Sequence, residues 1–139
     1  MAILERFSDI IKANINDILD RMEDPAKMIE QYLSNLMEDL AEVKRSTAAV
    51  MAEEKRTKRL VDENQAEIAK YEDYAKRALK AGNENDARTF IAKKQELENV
   101  GAGYMTAYAA AHENAVKMRQ MHDKLSSDIE ALKARREMI

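Results

Sequence analysis

The sequence predicts an all-α protein, in which a long antiparallel two-helix coiled-coil hairpin follows a short N-terminal amphipathic helix. Three features indicate this fold: two apolar stripes with a seven-residue repeat, a Gly-Asn turn between them, and an apolar N-terminal stretch that ends before a proline. The composition agrees, because 35% of the residues are charged and 5% are aromatic. Such values are typical of long exposed helices.

The predicted N-terminal helix covers residues 1–22. At 100° per residue, its large apolar side chains occupy about half of the helix surface and charged side chains occupy the other half. An apolar face of this kind binds either a membrane surface or another part of a protein, and the pattern leaves both options open. The face comprises Ile3, Leu4, Phe7, Ile10, Ile11, Ile15, Ile18, Leu19 and Met22.

Glu23-Asp24-Pro25 separates this helix from the hairpin. Asp24 is a favoured residue for capping a helix, and Pro25 has the fixed φ angle that suits the first helical position. We therefore expect a hinge at Asp24 and Pro25, and a new helix over residues 25–80 that forms the first arm.

Both arms carry stripes that advance in alternating steps of four and three residues. Eleven of fifteen stripe positions from Ile29 to Ala78 are apolar, as are twelve of sixteen from Ala87 to Ile139. A mean spacing of 3.5 residues keeps one side of a helix against its partner, which is the pattern of a coiled coil.

The predicted turn covers residues 81–85, with Gly82 in the left-handed conformation and Asn83 available to cap the second arm, residues 86–139. Folding the chain there places stripe position i opposite the stripe position nearest 165 − i, so that Leu33 meets Leu132. The same register places Gly101 opposite Asn64, where a kink or a close approach of the two arms is expected.

Charge is unevenly distributed, although the net charge is only −3. Residues 17–42 carry eight acids and two bases, whereas residues 44–60 carry six bases and two acids. The basic stretch is interpreted either as a solvated helix face with local ion pairs or as a docking surface for an acidic segment or a lipid headgroup.

The sequence contains no motif for catalysis, for a cofactor or for a metal. His112 and His122 are too far apart along a helix to share a metal ion, and Glu54 and Lys94 in the stripes are better explained as residues that set the register. Cysteine is absent. No apolar run approaches the ~20 residues that cross a bilayer, and no cleavable signal is recognisable. The acidic balance disfavours nucleic acid as a partner.

Several motifs resemble those of the phage shock protein A family, which includes the vesicle-inducing protein of plastids and cyanobacteria. The resemblance covers essentially the whole chain. The matching motifs are Ile3-Leu4-Glu5-Arg6-Phe7-Ser8-Asp9-Ile10, Ala13-Asn14-Ile15-Asn16, Glu23-Asp24-Pro25-Ala26-Lys27-Met28-Ile29-Glu30-Gln31, Ala87-Arg88 and Lys94-Gln95-Glu96-Leu97.

This resemblance implies a cytoplasmic protein of the ESCRT-III superfamily that associates peripherally with the inner face of the cytoplasmic membrane. It implies self-assembly that protects or remodels the membrane under envelope stress, with anionic membrane lipid and further copies of the chain as partners. Members of the family continue for several tens of residues beyond the position of Ile139. The positions that match the family's lipid-binding helix are Ile3, Leu4, Phe7, Ile10, Ile11, Ile15, Ile18 and Leu19.

We therefore expect a non-catalytic peripheral membrane protein of the envelope stress response. The alternative is a cytosolic coiled-coil module that binds and restrains a transcriptional activator, in which the first helix is only a packing element. Flotation with lipid vesicles separates the two hypotheses.

Overall fold

The computed structural model describes residues 2–138, which form five α-helices and no strand. Three are short: α1 (Ala2–Glu5), α2 (Phe7–Lys12) and α3 (Ile15–Asp20). Two are long, α4 (Pro25–Lys80) and α5 (Glu84–Met138), and they pack against each other as an antiparallel hairpin, which confirms the predicted fold class. Ile139, the last position of the second stripe, lies outside the described residues.

The chain divides into two compact units, Met1–Met51 with Glu113–Ile139 and Ala52–His112. In the first unit, α1–α3 pack against the beginning of α4 and the end of α5 around one apolar core. Most of the α4 and α5 side chains in this core belong to the predicted stripes. The core residues on these two helices, of which only Met121 lies outside the stripes, are Ile29, Leu33, Leu36, Val43, Val50, Ala115, Met118, Met121, Leu125, Ile129 and Leu132.

In the second unit, contacts between the arms follow the predicted register. Nδ1 of His112 and Oε2 of Glu54 are 2.6 Å apart, within hydrogen-bond distance. The ring centroids of Phe90 and Tyr74 are 5.4 Å apart. Both pairs have residue numbers that sum to within one of 165. The offset between the two arms therefore agrees with the predicted register to within one residue.

Gly101 allows a close approach of the arms in this unit. A methyl group on Gly101 would lie 2.2 Å from Oδ1 of Asn64, which is far inside van der Waals contact. The Asn64 side chain is buried and donates a hydrogen bond to the Leu97 carbonyl at 2.9 Å. The predicted close approach is confirmed, and α5 continues through the glycine without a break.

Gly82 and Asn83 form the turn as the sequence predicts. Gly82 has a φ of +76°, and the backbone N–H of Asn83 donates to the Ala78 carbonyl at 2.8 Å, closing the end of α4. The Asn83 side chain accepts a hydrogen bond from the backbone N–H of Asp86 at 3.1 Å. This is the N-cap of α5, which begins at Glu84.

The N-terminal segment, defined here as residues 2–22, is not the single helix that the apolar periodicity predicts. It breaks at Arg6 and again at Ala13-Asn14, where both residues have extended backbone angles. The Asn14 side chain accepts hydrogen bonds from the backbone N–H groups of Asn16 and Asp17 at 3.1 and 3.3 Å. Asn14 therefore caps α3, which explains the second break.

Candidate lipid-binding segment

The apolar side of the N-terminal segment lies against the hairpin of the first unit. Ile3, Ile10 and Leu19 are buried in the shared core. Full burial of such side chains stabilises by roughly 1.5–3 kcal/mol each. The other predicted lipid-binding residues, Leu4, Phe7, Ile11, Ile15 and Ile18, are partly buried.

The N-terminal segment therefore contacts the hairpin through its apolar side, as the amphipathic pattern requires. The structure packs Leu4, Phe7 and Ile15 against the core that contains Ile3, Ile10 and Leu19, whereas it shows no such contact for Ile11 and Ile18. The sequence left membrane adsorption and protein packing open, and the described conformation is the packed one.

Polar contacts hold the segment at the same two places where its helix is interrupted. Arg6, between α1 and α2, forms an ion pair and hydrogen bond with Asp39 of α4. The carbonyl of Ala13, at the end of α2, accepts a hydrogen bond from Nζ of Lys124 in α5 at 2.7 Å. Lys124 also donates to Asp128 at 2.5 Å. The hairpin therefore contacts the segment through charges as well as through its core.

Two further contacts complete this interface. Nζ of Lys117 lies 5.3 Å from the ring centroid of Phe7, within the range of a cation–π interaction. Tyr32 of α4 packs against the core beside the segment. Burial raises the pKa of the Tyr32 phenol, and the carboxylates of Asp128 and Asp39 raise it further.

The buried acids Asp39 and Asp128 were not predicted as site residues. They lie beside the stripes of α4 and α5, and are buried because the N-terminal segment covers that side of the hairpin. Packing of the N-terminal segment on that side also explains why Met121 is buried while the stripe residue His122 is exposed. Asp39 contacts Arg6, 33 positions away, and Lys124, the partner of Asp128, contacts Ala13, 111 positions away, so local sequence patterns carry no signal for this interface.

The predicted hinge lies between α3 and α4. The carbonyl of Asp24 accepts hydrogen bonds from the backbone N–H groups of Lys27 and Met28 at 3.2 and 2.9 Å, and Pro25 is the first residue of α4. Asp24 and Pro25 thus start α4 through backbone geometry. The residues on either side, Glu23 and Ala26, are exposed.

Part of the basic stretch is neutralised locally. Arg56 donates two hydrogen bonds to Glu53, which lower the pKa of the Glu53 carboxyl, and Lys58 pairs with Asp62 at 2.8 Å. Lys44, Arg45, Lys55 and Arg59 are exposed. Local ion pairs therefore account for two of the six bases.

Other residues singled out in the sequence have structural contacts. Glu54 contacts His112, and Lys94 lies within 3.9 Å of Glu72 and 3.7 Å of Glu98, so Glu54 and Lys94 do not pair with each other. Within residues 2–138, no group of three or more His, Cys, Asp or Glu side chains is arranged to hold a metal ion. The helices of that part of the chain include none with the length and apolar character needed to span a membrane.

Comparison with known proteins agrees with the motifs and the fold. The chain matches the PspA/IM30 family over residues 2–139. The chain is 54% identical over all 139 residues to the "Phage shock protein A homolog" of Bacillus subtilis, covering 61% of that protein. It is 34% identical over the same 139 residues to the "Membrane-associated protein Vipp1" of Synechocystis, covering 52% of it.

A more distant relative is "Protein LiaH" of Bacillus subtilis, 23% identical over 137 residues, of which the chain covers 61%. The chain thus spans between half and two thirds of the length of these curated relatives. With a family match over nearly every residue and a hairpin in the predicted register, the chain belongs to the PspA/IM30 family.

Proposed function

We propose that this chain is a non-catalytic peripheral membrane protein whose N-terminal segment binds lipid. The observation that carries the proposal is the arrangement of this segment: its large apolar side chains share one side, and the hinge at Asp24 and Pro25 joins it to the hairpin. Lipid can bury the same side chains that the hairpin buries in the described conformation. Relatives that are named membrane-associated proteins support this proposal.

Flotation on vesicles of phosphatidylcholine and phosphatidylglycerol tests the proposal. The intact chain should float, and a chain without residues 1–22 should remain at the bottom of the gradient. Equal flotation of the two forms, or none by either, would contradict a lipid-binding role for the segment.

A point substitution gives a finer test of the same face. Ile11→Glu places a charge among the apolar side chains and should abolish flotation with little change in helix content. Asn16→Glu is the matched control, because it adds the same charge at an exposed position on the polar side of the same segment. If the two variants bind equally, the amphipathic face is not what contacts lipid.

We also propose that the chain associates with further copies of itself. Several large apolar side chains on the two long helices are exposed, and exposed apolar side chains that adjoin one another are typical of an interaction surface. They include Met28, Met37, Met51, Leu79, Ile91, Val100 and Met105. Membrane protection or remodelling under envelope stress, at the cytoplasmic face of the membrane, is the role we propose for such assemblies.

Sedimentation velocity tests this second part. Met105, which is 57% exposed, can be replaced by glutamine with little effect on folding. Met105→Gln should reduce the average assembly size relative to Thr106→Gln, a control at the neighbouring exposed position. An unchanged size distribution would exclude Met105 from the contact surface.

Restraint of a transcriptional activator remains the alternative prediction.

A further inference from the structure

The interface between the N-terminal segment and the hairpin contains two nearly buried carboxylates. The side chains of Asp39 and Asp128 are 10% and 8% exposed. Arg6 supplies the partner of Asp39, and Lys124 bridges Asp128 and the Ala13 carbonyl. Hydrogen bonds to ionised groups in a partly dry environment are stronger than neutral ones, so these contacts contribute more than their number suggests.

The apolar contribution to docking is nearly matched by lipid. Ile3, Ile10 and Leu19 are buried by the hairpin in the described conformation, and a bilayer interface would bury the same side chains. Lipid tails are about as apolar as a protein core, so moving these residues from one to the other changes the hydrophobic free energy little. The polar contacts therefore decide much of the preference between the two locations.

The second break in the segment, which the Asn14 cap produces, also provides a contact to the hairpin. The Ala13 carbonyl is free to accept from Lys124 because the chain does not continue as a helix through Asn14. In one continuous helix the same carbonyl would accept from the backbone N–H of Asp17, which now donates to the Asn14 side chain. Lys124 thus competes with the continuous amphipathic helix that the periodicity of residues 3–22 predicts.

We propose that Asp39 and the Lys124–Asp128 pair form a latch that holds the N-terminal segment against the hairpin. The phosphate of an anionic lipid headgroup opens this latch by replacing Asp39 as the partner of Arg6. The released segment then closes its breaks and binds lipid as one helix. This inference rests on the proposed lipid-binding function and describes its regulation.

The geometry at Arg6 suits such an exchange. The Arg6 side chain is 53% exposed, so a phosphate can approach the guanidinium before the ion pair with Asp39 separates. Guanidinium groups bind phosphate through two parallel hydrogen bonds, which makes phosphate a strong competitor of a carboxylate. A cavity of about 220 Å³ adjoins Arg6, Tyr32, Asp39 and Asp128. Water entering there can solvate the two carboxylates when the segment leaves.

The first test removes one half of the latch without changing the net charge. Lys124→Met combined with Asp128→Asn deletes the contact to Ala13 and leaves no unpaired buried charge. The matched control is Lys58→Met with Asp62→Asn, an exposed pair of the same residue types and the same i, i+4 spacing. Because neither double variant alters the net charge, long-range attraction to an anionic membrane is unchanged.

Hydrogen exchange without lipid measures opening directly. The amides of residues 3–22 should exchange about tenfold faster in the latch variant than in the control, which corresponds to ~1.4 kcal/mol. Exchange in α4 and α5 should stay the same in both, showing that the hairpin remains folded. Equal protection of residues 3–22 in the two variants would overturn the latch.

The second test addresses competition by phosphate. Asp39→Asn should shift half-maximal flotation to a several-fold lower phosphatidylglycerol fraction in phosphatidylcholine vesicles. Glu38→Gln removes the same charge from the neighbouring exposed position and should leave the midpoint near that of the wild type. If both substitutions shift it equally, general electrostatics explains the effect and the proposed exchange at Arg6 is wrong.

These outcomes separate the latch from the lipid-binding function on which it rests. Flotation by no variant, with faster exchange in the latch variant, would mean that the segment opens but does not bind lipid. Equal flotation of all variants with equal exchange would retain lipid binding and exclude the latch.

Discussion

Replacing Gly101 by alanine should weaken the hairpin, whereas the same substitution at Gly103 should strengthen it. Alanine is favoured over glycine in a helix by about 1 kcal/mol, and this gain is available at both positions. No atom lies within 4 Å of a methyl group added at Gly103, so Gly103→Ala should raise the free energy of unfolding by about that amount.

At Gly101 the added methyl group meets Oδ1 of Asn64 at 2.2 Å, and Asn64 must move. Movement breaks its 2.9 Å hydrogen bond to the Leu97 carbonyl and leaves a buried amide without a partner. That loss costs about 1–3 kcal/mol, which offsets or exceeds the gain in helix propensity. We expect Gly101→Ala to be about 1–3 kcal/mol less stable than Gly103→Ala.

Equilibrium unfolding in urea, followed by circular dichroism at 222 nm, measures the difference. Asn64→Ala provides the second side of a double-mutant cycle, because it removes the group with which the new methyl collides. Gly101→Ala should destabilise the wild type more than it destabilises Asn64→Ala. Equal stability of the two glycine variants would refute the reasoning, since Asn64 would then yield to the methyl group at no cost.

Three other predictions follow from single sites. Gly82→Ala forces an L side chain into a φ of +76° and should lower the free energy of unfolding by about 1–2 kcal/mol; an unchanged urea midpoint would exclude strain at the turn. Asn14→Ala removes the cap of α3 and should speed hydrogen exchange in that helix, while raising lipid affinity because a continuous helix does not need the cap; weaker flotation would contradict this. The phenol of Tyr32 should ionise above its ordinary pKa of 10.0, so absorbance at 295 nm should show a late step that Tyr32→Phe removes. Because folding disfavours the phenolate, stability should fall as the pH rises from about 10 towards the higher pKa of the folded state.

The hairpin could be predicted from sequence because its determinants are local or periodic. The heptad stripes predict which positions of the two arms lie opposite each other, including Asn64 opposite Gly101. The residue types at Gly82 and Asn83 predict the turn. A heptad stripe is recognised from the spacing of apolar residues alone, and a turn is recognised from the residues within it. These parts of the fold do not depend on distant contacts.

The N-terminal segment was predicted less completely, for a physical reason. The apolar spacing predicts a continuous helix through Asn14, although asparagine is a favoured capping residue. Whether such a residue caps or continues a helix depends on competing partners. Here Lys124 donates to the carbonyl of the preceding residue, Ala13, from 111 positions away in sequence. The burial of Asp39 and Asp128 depends on the same long-range packing.

The short connection between α3 and α4 limits where a released segment can go. From Asp20 to Pro25 the extended chain reaches roughly 18 Å, at about 3.6 Å per residue. Because this tether is short, the segment has a high effective concentration at its own hairpin. A membrane with few anionic lipids therefore competes poorly with the hairpin for the segment, whereas a membrane rich in them competes well. Any bilayer that captures the segment must also come close to the start of α4, which Asp24 precedes and whose second turn contains Glu30. Membrane attachment would therefore bring the start of α4 and its acidic side chains towards the headgroups.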